Sequence, residues 1–579
     1  MAASCVHLAF LLCFMIPATI ASPRSLRESP ADASWPTTFF EVDRPLRPPS
    51  GSSGPCSTLL LSTSFGSTFA KPPATAAYSP PRCLAAAGGR ASAISLAVLE
   101  WHATCRGAQL DRTFGVWLGG AELLRGSTAA PPPNGIVWSV SKDVTRYASL
   151  LAAGRSTLAV YLGNLVNSTL PGVYHANVTL HLYLRRAPAT RPPPATAPAD
   201  LVVPVSRALP PNGGGLWYQI QSATDVQSTS VALPSNTYRA VLELYVSSHG
   251  DDESWYTNQP GYRNGPFREV TVRVDGVLAG AAWPFPVIYP GGIYPLLWRP
   301  VAPIGSFNLP TYDVELTPLL GKLLDGKAHE FGFAVTNALD VWYVGANLHL
   351  WLDPGSTTTT AGLTSYVAPP ANAASSQSGD PVDTHYQATA NRTFSATGWV
   401  KSSYGNITTN ATQTFGLEYT LTFETLDRTT VARAGVSATD HAGGVLYTEQ
   451  TRRSFPLGWI YEQGRLTVTH GLDETTVAAG RWWTGPGYRS VRITQSSVVE
   501  DEEGGGKAWG VRQAYRYEAT DGCYLRNVTS SGYGVVSDHS NKVCVKGGAV
   551  RATSAGDGAV RAALPAVAGA GKAAGLVRN

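Results

Sequence analysis

Residues 249 to 276 collect side chains that can do chemistry. The stretch reads His249-Gly-Asp251-Asp252-Glu253-Ser-Trp255-Tyr256 and continues through Phe267-Arg268-Glu269-Val-Thr-Val-Arg-Val-Asp275-Gly276. An acidic, aromatic loop thus runs straight into an alternating strand, and reactive groups on a loop held by rigid strands are a common way to build a site. Asp251, Asp252, Glu253 and Glu269 are candidates for acid–base work, with His249 beside them as a proton shuttle or a hydrogen-bonding scaffold. Trp255 and Tyr256 offer aromatic faces and Arg268 a fork of donors, a combination that suits a sugar-bearing substrate. Strand alternation sets Glu269 on the face opposite Arg268, so only one of the two can lean into a given cleft. The bland alternative is a solvated acidic turn followed by core aromatics.

The elements that must hold this loop are strands. Arg112–Leu118, Ser156–Leu162, Ala240–Val246, Phe331–Val335, Asn347–Leu352 and Gly416–Phe423 alternate or run apolar over strand lengths. From Tyr174 to Leu184 the even positions are mostly apolar, whereas His175, Asn177, Thr179 and His181 share a polar face. Only Val144–Leu151 and Leu319–Leu324 look helical. The chain is expected to be all-β, built of packed sandwiches. Its 579 residues allow two to four domains at ~100–200 residues each. The expected division is a first β-sandwich at 37–186, a Pro-rich linker at 187–211, a second β-sandwich at 212–355, a flexible linker at 356–389 and a C-terminal β-rich region at 390–550. An Ala/Gly-rich tail at 551–579 reads as disordered. The run Glu500–Gly506 reads as a hairpin tip.

Composition narrows the partners. A net charge of +4, with no Lys/Arg cluster interleaved with aromatics, argues against nucleic acid. Leu8–Ile16 is a short apolar core, and Thr19 and Ala21 suit a signal-peptidase site, so residues 1–21 read as a signal peptide. No later segment approaches the ~20 apolar residues of a membrane span. Six glycosylation sequons, at Asn167, Asn177, Asn391, Asn406, Asn410 and Asn527, agree with export to the secretory pathway, and with a secreted, apoplastic or vacuolar destination. Of seven cysteines, Cys5 and Cys13 fall in the leader. In an oxidising compartment the remaining five suggest one bridge among Cys56, Cys83 and Cys105 and a second between Cys523 and Cys544, with one inert thiol left over. Their spacing matches no zinc pattern, and no metal or other cofactor is expected.

A longer set of motifs resembles one family. Cys105-Arg-Gly-Ala-Gln-Leu-Asp111-Arg112-Thr-Phe-Gly-Val-Trp-Leu-Gly-Gly120-Ala-Glu-Leu-Leu-Arg125 is similar to the signature of the plant peptide:N-glycanase A family. Trp138–Thr145, the Gly-Asp-Asp-Glu loop, Pro284–Ile288 with Gly291-Gly-Ile, Trp298–Val301 and Asn347–Asp353 continue the match between about Phe39 and Cys544. The resemblance implies a glycoamidase that hydrolyses the β-aspartylglucosylamine bond of N-glycopeptides and denatured glycoproteins. It also implies two jelly-roll-like sandwiches that form a cleft, because bacterial glycoamidases are built that way and open a strand with a catalytic Asp-Arg pair. On that basis Asp111 would bind the glycosylamide or activate water, and Arg112 would hold the sugar or orient Asp111. A structural ion pair at a strand end is the other reading. The glutamate that precedes a Phe-Arg in the bacterial enzymes is missing before Phe267-Arg268, which leaves Asp252, Glu253 or Glu269 as the second carboxylate. Trp298 joins Trp255 and Tyr256 as a sugar platform or as core, and Trp459, Trp482 and Trp483 carry the same choice. Two other classes remain open: a lectin-like sandwich that binds glycan without cutting it, and a glycosidase with paired carboxylates ~5–9 Å apart.

Overall fold

The computed structural model describes residues 36–185, 196–208, 213–380, 383–501, 507–532 and 534–541. The expected leader, the tail at 551–579, Cys544 and most of the 500–506 run lie outside the described residues. Nine strands form the first sandwich: β1 (Thr37–Phe39), β2 (Cys56–Phe65), β3 (Ala74–Tyr78), β4 (Ile94–Arg106), β5 (Thr113–Leu118), β6 (Ala121–Ser127), β7 (Ile136–Asp143), β8 (Ser156–Leu162) and β9 (Val173–Leu184). One sheet has the order β1-β7-β4-β9-β2 and the other β3-β8-β5-β6. The alternation in β9 sets its orientation: Tyr174, Ala176, Val178, Leu180 and Leu182 are buried, and His175 and Asn177 are exposed. Between the sheets Trp101 stacks on Phe114 with centroids 4.2 Å apart. Cys56 and Cys83 are bridged, and Cys105 is a buried free thiol. Cys523 is also disulfide-bonded.

The second sandwich repeats the plan with β10 (Leu201–Val205), β11 (Tyr218–Ile220), β12 (Gln227–Ala232), β13 (Thr237–Ser248), β14 (Glu269–Val274), β15 (Val277–Ala282), β16 (Thr311–Glu315), β17 (Ala328–Thr336) and β18 (Trp342–Leu352). Its sheets run β10-β18-β13-β16, with β11 also pairing β18, and β12-β17-β14-β15. In both units early strands pair with late ones, as when a long hairpin is folded over on itself. The two short helical pieces expected from the sequence are present as single turns at Thr145–Ala152 and Thr317–Leu323.

Both expected linkers need correction. Inside the Pro-rich stretch, Leu201–Val205 pairs in register with Leu350–Ala346 of β18, so part of it belongs to the second sandwich. Residues 356–389 contain β19 (Thr360–Val367) and β20 (Asn372–Gly379), which occupy the two halves of one edge of the long strand β21 (Thr384–Ser402). Every side chain of β20 is exposed. A strand with no buried face shows no hydrophobic period, and its pairing satisfies an edge that would otherwise be open. From β21 the sheet continues strand by strand to β29 (Gly534–Asn541), eleven strands in all, a single layer that stands as the third sheet unit after the two sandwiches. Val400, Tyr419, Leu421, Leu457 and Val468 on its inner face join the core of the second sandwich.

The two sandwiches meet along β6 and β18. Asn347 accepts from the Glu122 amide at 3.0 Å and donates to the Glu122 carbonyl at 2.7 Å. Arg125, fully buried, donates twice to the Glu122 carboxylate at 2.7 Å and crosses to Ser247 and to the Tyr343 carbonyl. Alongside, Glu243 of β13 accepts from Tyr147 at 2.5 Å and pairs with His349 and Arg146. Breaking a buried pair of this kind costs about 3–5 kcal/mol, because the surviving charge is left without water.

Candidate active site

Asp111 sits just before β5, and the backbone on both sides of it is pinned. Tyr174 donates to the Leu110 carbonyl at 2.7 Å, and Thr128 both accepts from the Arg112 amide and donates its own amide to the Arg112 carbonyl. The Asp111 carboxylate points at the turn Tyr289–Gly292, where the Gly291 backbone hydrogen-bonds to it. Only glycine fits there, because a Cβ at 291 would lie 2.4 Å from Asp111 Oδ1. Arg112 lies beside Asp111 and uses one nitrogen on Gln109 at 2.8 Å, and its buried Nε has no partner among the described residues.

From the second sandwich the 249–258 loop reaches the same place. It is tied to residues 340–341 by the His249 and Asp251 amides and by the Val341 amide, and it winds into two single 3₁₀ turns. Consecutive side chains in such a turn diverge by about a third of a revolution. Asp252 therefore points into the protein, and Glu253, turned away from it, lies near enough to Asp111 to feel its charge. The Glu253 carboxyl makes no hydrogen bond or ion pair among the described residues. Desolvation, followed by the nearby charge on Asp111, pushes it up to about 8. Burial also raises Asp111, but the Gly291 contact, its own backbone and Arg112 all pull the other way. The two carboxyls thus sit in unequal surroundings: three contacts oppose the rise at Asp111, and none among the described residues opposes it at Glu253.

The other expected site residues are placed elsewhere. Asp252 is fully buried and accepts from Arg268 at 2.6 and 2.7 Å, from Trp342 Nε1 at 2.6 Å and from the Leu339 amide at 2.9 Å. Arg268, equally buried, spends its remaining donors on the carbonyls of Arg263, Asn264, Gly265 and Phe267. Glu269 pairs with Arg392 of the third sheet and accepts from Trp283. All three are scaffold, with no free oxygen or nitrogen facing a substrate. Trp255, Tyr256 and Trp298 are core residues at 1% exposure each, and so do not form sugar platforms. Asp251 is exposed and pairs with Arg263. His249 is wedged between Tyr289 and Tyr343, with contacts to Thr113 and Ser247. Burial, followed by the positive charge of Arg125, holds it down at about 3, which makes it a neutral scaffold and not a proton shuttle. Trp459, Trp482 and Trp483 are half-buried on the third sheet.

Sequence reasoning missed Tyr289, Gly291, Gln109 and Thr128 as parts of this site. Gly291-Gly292 was the available signal, since paired glycines mark close backbone approach. Asn167, Asn177, Asn391, Asn406 and Asn527 are exposed, and Asn410 is half-buried on the outer face of the third sheet. Among the described residues no helix is long and apolar enough to cross a membrane, and no three or more His, Cys, Asp or Glu side chains converge as metal ligands. A cavity of about 570 Å³ between residues 40–46, β7 and the third sheet contains neither Asp111 nor Glu253.

The chain is thus all-β, with one buried carboxyl from each sandwich, Asp111 and Glu253, near enough for the charge of one to act on the other. The comparisons make this specific. Residues 45–369 match the family model described as peptide N-acetyl-beta-D-glucosaminyl asparaginase amidase A. The chain is also 41% identical over 557 residues to the peptide-N4-(N-acetyl-beta-glucosaminyl)asparagine amidase A of Prunus dulcis, covering 90% of this chain and 95% of that one. The chain belongs to the peptide N-acetyl-beta-D-glucosaminyl asparaginase amidase A family. Among solved structures, recombinant peptide:N-glycanase F aligns with 52% of this chain and 96% of its own at 14% identity and a TM-score of 0.36. The glycosylasparaginase PNGase F of Flavobacterium meningosepticum gives 15% identity and a TM-score of 0.36 at the same coverages.

Proposed function

We propose that this chain is a glycoamidase that hydrolyses the bond between an N-glycan and its asparagine in N-glycopeptides and denatured glycoproteins. What supports the reading is that one buried carboxyl from each sandwich, Asp111 and Glu253, lies near enough to the other for its charge to be felt, beside the Gly291 turn. Ionised Asp111 takes a proton from a water whose oxygen attacks the asparagine side-chain carbonyl carbon. As the carbon–nitrogen bond breaks, protonated Glu253 delivers its proton to the departing nitrogen. The asparagine becomes aspartate, and the glycan leaves as a glycosylamine, which then exchanges ammonia for water. Transfer of the proton from Asp111 to Glu253 restores the pair. Each proton transfer of this type contributes about 10²–10⁴ in rate. Arg112, whose Nε has no partner among the described residues, holds the sugar. The apolar leader and the exposed sequon asparagines support a place in the secretory pathway.

The test is treatment of an N-glycopeptide at mildly acidic pH with wild type and with Asp111→Asn. Release of the whole glycan with a peptide mass gain of about one unit, lost in the variant, is the expected result. Cleavage between sugars would make it a glycosidase, and binding without cleavage a lectin.

A further inference from the structure

Beside the carboxyl pair lies a third polar group with no assigned task. Tyr289 is 3% exposed, and its hydroxyl has no hydrogen-bond partner among the described residues. An unpaired buried hydroxyl costs about 1–3 kcal/mol, and a bound substrate oxygen that accepted from it would recover that cost. Its position is fixed from two sides. The ring stacks on His249 at 5.4 Å, and the apolar side rests against Phe285, Val287 and Leu309. Its carbonyl closes the turn to the Gly292 amide at 2.8 Å, the same turn whose Gly291 touches Asp111. The hydroxyl lies within electrostatic reach of both Glu253 and Asp111.

Amide hydrolysis needs one more thing than a base and an acid. As water adds, the carbonyl oxygen takes on negative charge and requires a donor that is already in place. Asp111, ionised, can only accept, and the single proton of Glu253 is committed to the leaving nitrogen. We infer that Tyr289 donates its hydroxyl hydrogen bond to the carbonyl oxygen of the scissile amide and stabilises the oxyanion of the tetrahedral intermediate. No proton is transferred: the oxygen gains charge when the water oxygen–carbon bond forms and loses it when the carbon–nitrogen bond breaks. Desolvation, reinforced by the Glu253 charge, pushes the phenol well above its ordinary value, so it stays a donor at every working pH.

This assignment rests on the glycoamidase reading. Tyr289→Phe keeps the ring and its packing and removes only the donor. With an N-glycopeptide substrate, kcat should fall about 10²–10³-fold, as for loss of one oxyanion donor, with KM within twofold and both limbs of the pH profile unmoved. A variant with kcat within threefold of wild type, or one that loses only through KM, overturns the inference. Should Tyr289→Phe not fold, 4-fluorophenylalanine at 289 replaces it under the same criteria. An inactive wild type would sink the glycoamidase reading and this assignment together. An active wild type with an equally active Tyr289→Phe would sink this assignment alone.

Discussion

Replacing Glu253 by Gln tests the division of labour in the carboxyl pair through two independent observables. In wild type, activity should rise as pH climbs through the raised ionisation of Asp111 and fall as Glu253 ionises at about 8. At pH 5 Glu253 is then about a thousandfold more often protonated than not. Glu253→Gln should lower kcat by about 10²–10⁴ and abolish the falling limb while the rising limb remains. The second observable is stability. The folded-state value of Glu253 lies above its unfolded value of 4.5, so its favourable contribution is complete below pH 4.5 and is lost as pH rises to about 8. At about 1.4 kcal/mol per pKa unit the loss is at most about 5 kcal/mol, and it is less in so far as the half-buried carboxyl still meets water. Glu41, raised to about 8 by its own burial, acts over the same window but cancels in the comparison. Urea unfolding at pH 4.5 and 8.5 should therefore show a smaller loss for Glu253→Gln than for wild type. A falling limb that persists in the variant, or equal losses of stability in both proteins, would refute the assignment.

Three further outcomes follow from the geometry. Asp252→Asn leaves Arg268 buried without its counter-charge, so stability measured by urea should drop about 3–5 kcal/mol, with kcat of the folded protein at low temperature within tenfold. Gly291→Ala puts a methyl 2.4 Å from Asp111 Oδ1, and the displaced carboxylate should cost about 10² in kcat with an unchanged circular dichroism spectrum. Cys83→Ser opens the bridge to Cys56 across a separation of 27 residues. On the chain-entropy account the loss is about 3.6 kcal/mol, read as a lower urea midpoint without loss of activity in the folded protein.

The sequence made the strands legible because period-two alternation is a local property: Ser156–Leu162 and Tyr174–Leu184 coincide with their elements almost residue for residue. It failed at β20, whose side chains are all exposed, and at β10, whose short apolar run follows a proline tract. Within the site, Asp111 was readable only through motif resemblance, since nothing local distinguishes it from a strand-end ion pair. Asp252 and Glu253 are chemically interchangeable on paper. They separate only because one turn directs Asp252 to Arg268 and Trp342 and the next residue to the cleft. Tyr289 was illegible for the opposite reason, because its significance is the lack of a partner.

The buried polar network between the two sandwiches has a consequence for substrates. A junction tied by Arg125, Glu122, Asn347 and Glu243 would have to break buried contacts to open around a folded glycoprotein. The conformational cost of exposing the linkage is then borne by the substrate. A sequon whose flanking chain opens for only 1% of the time would present an apparent affinity about a hundredfold weaker than the same sequon in a free peptide. Turnover on intact glycoproteins would accordingly report their local unfolding equilibria, site by site.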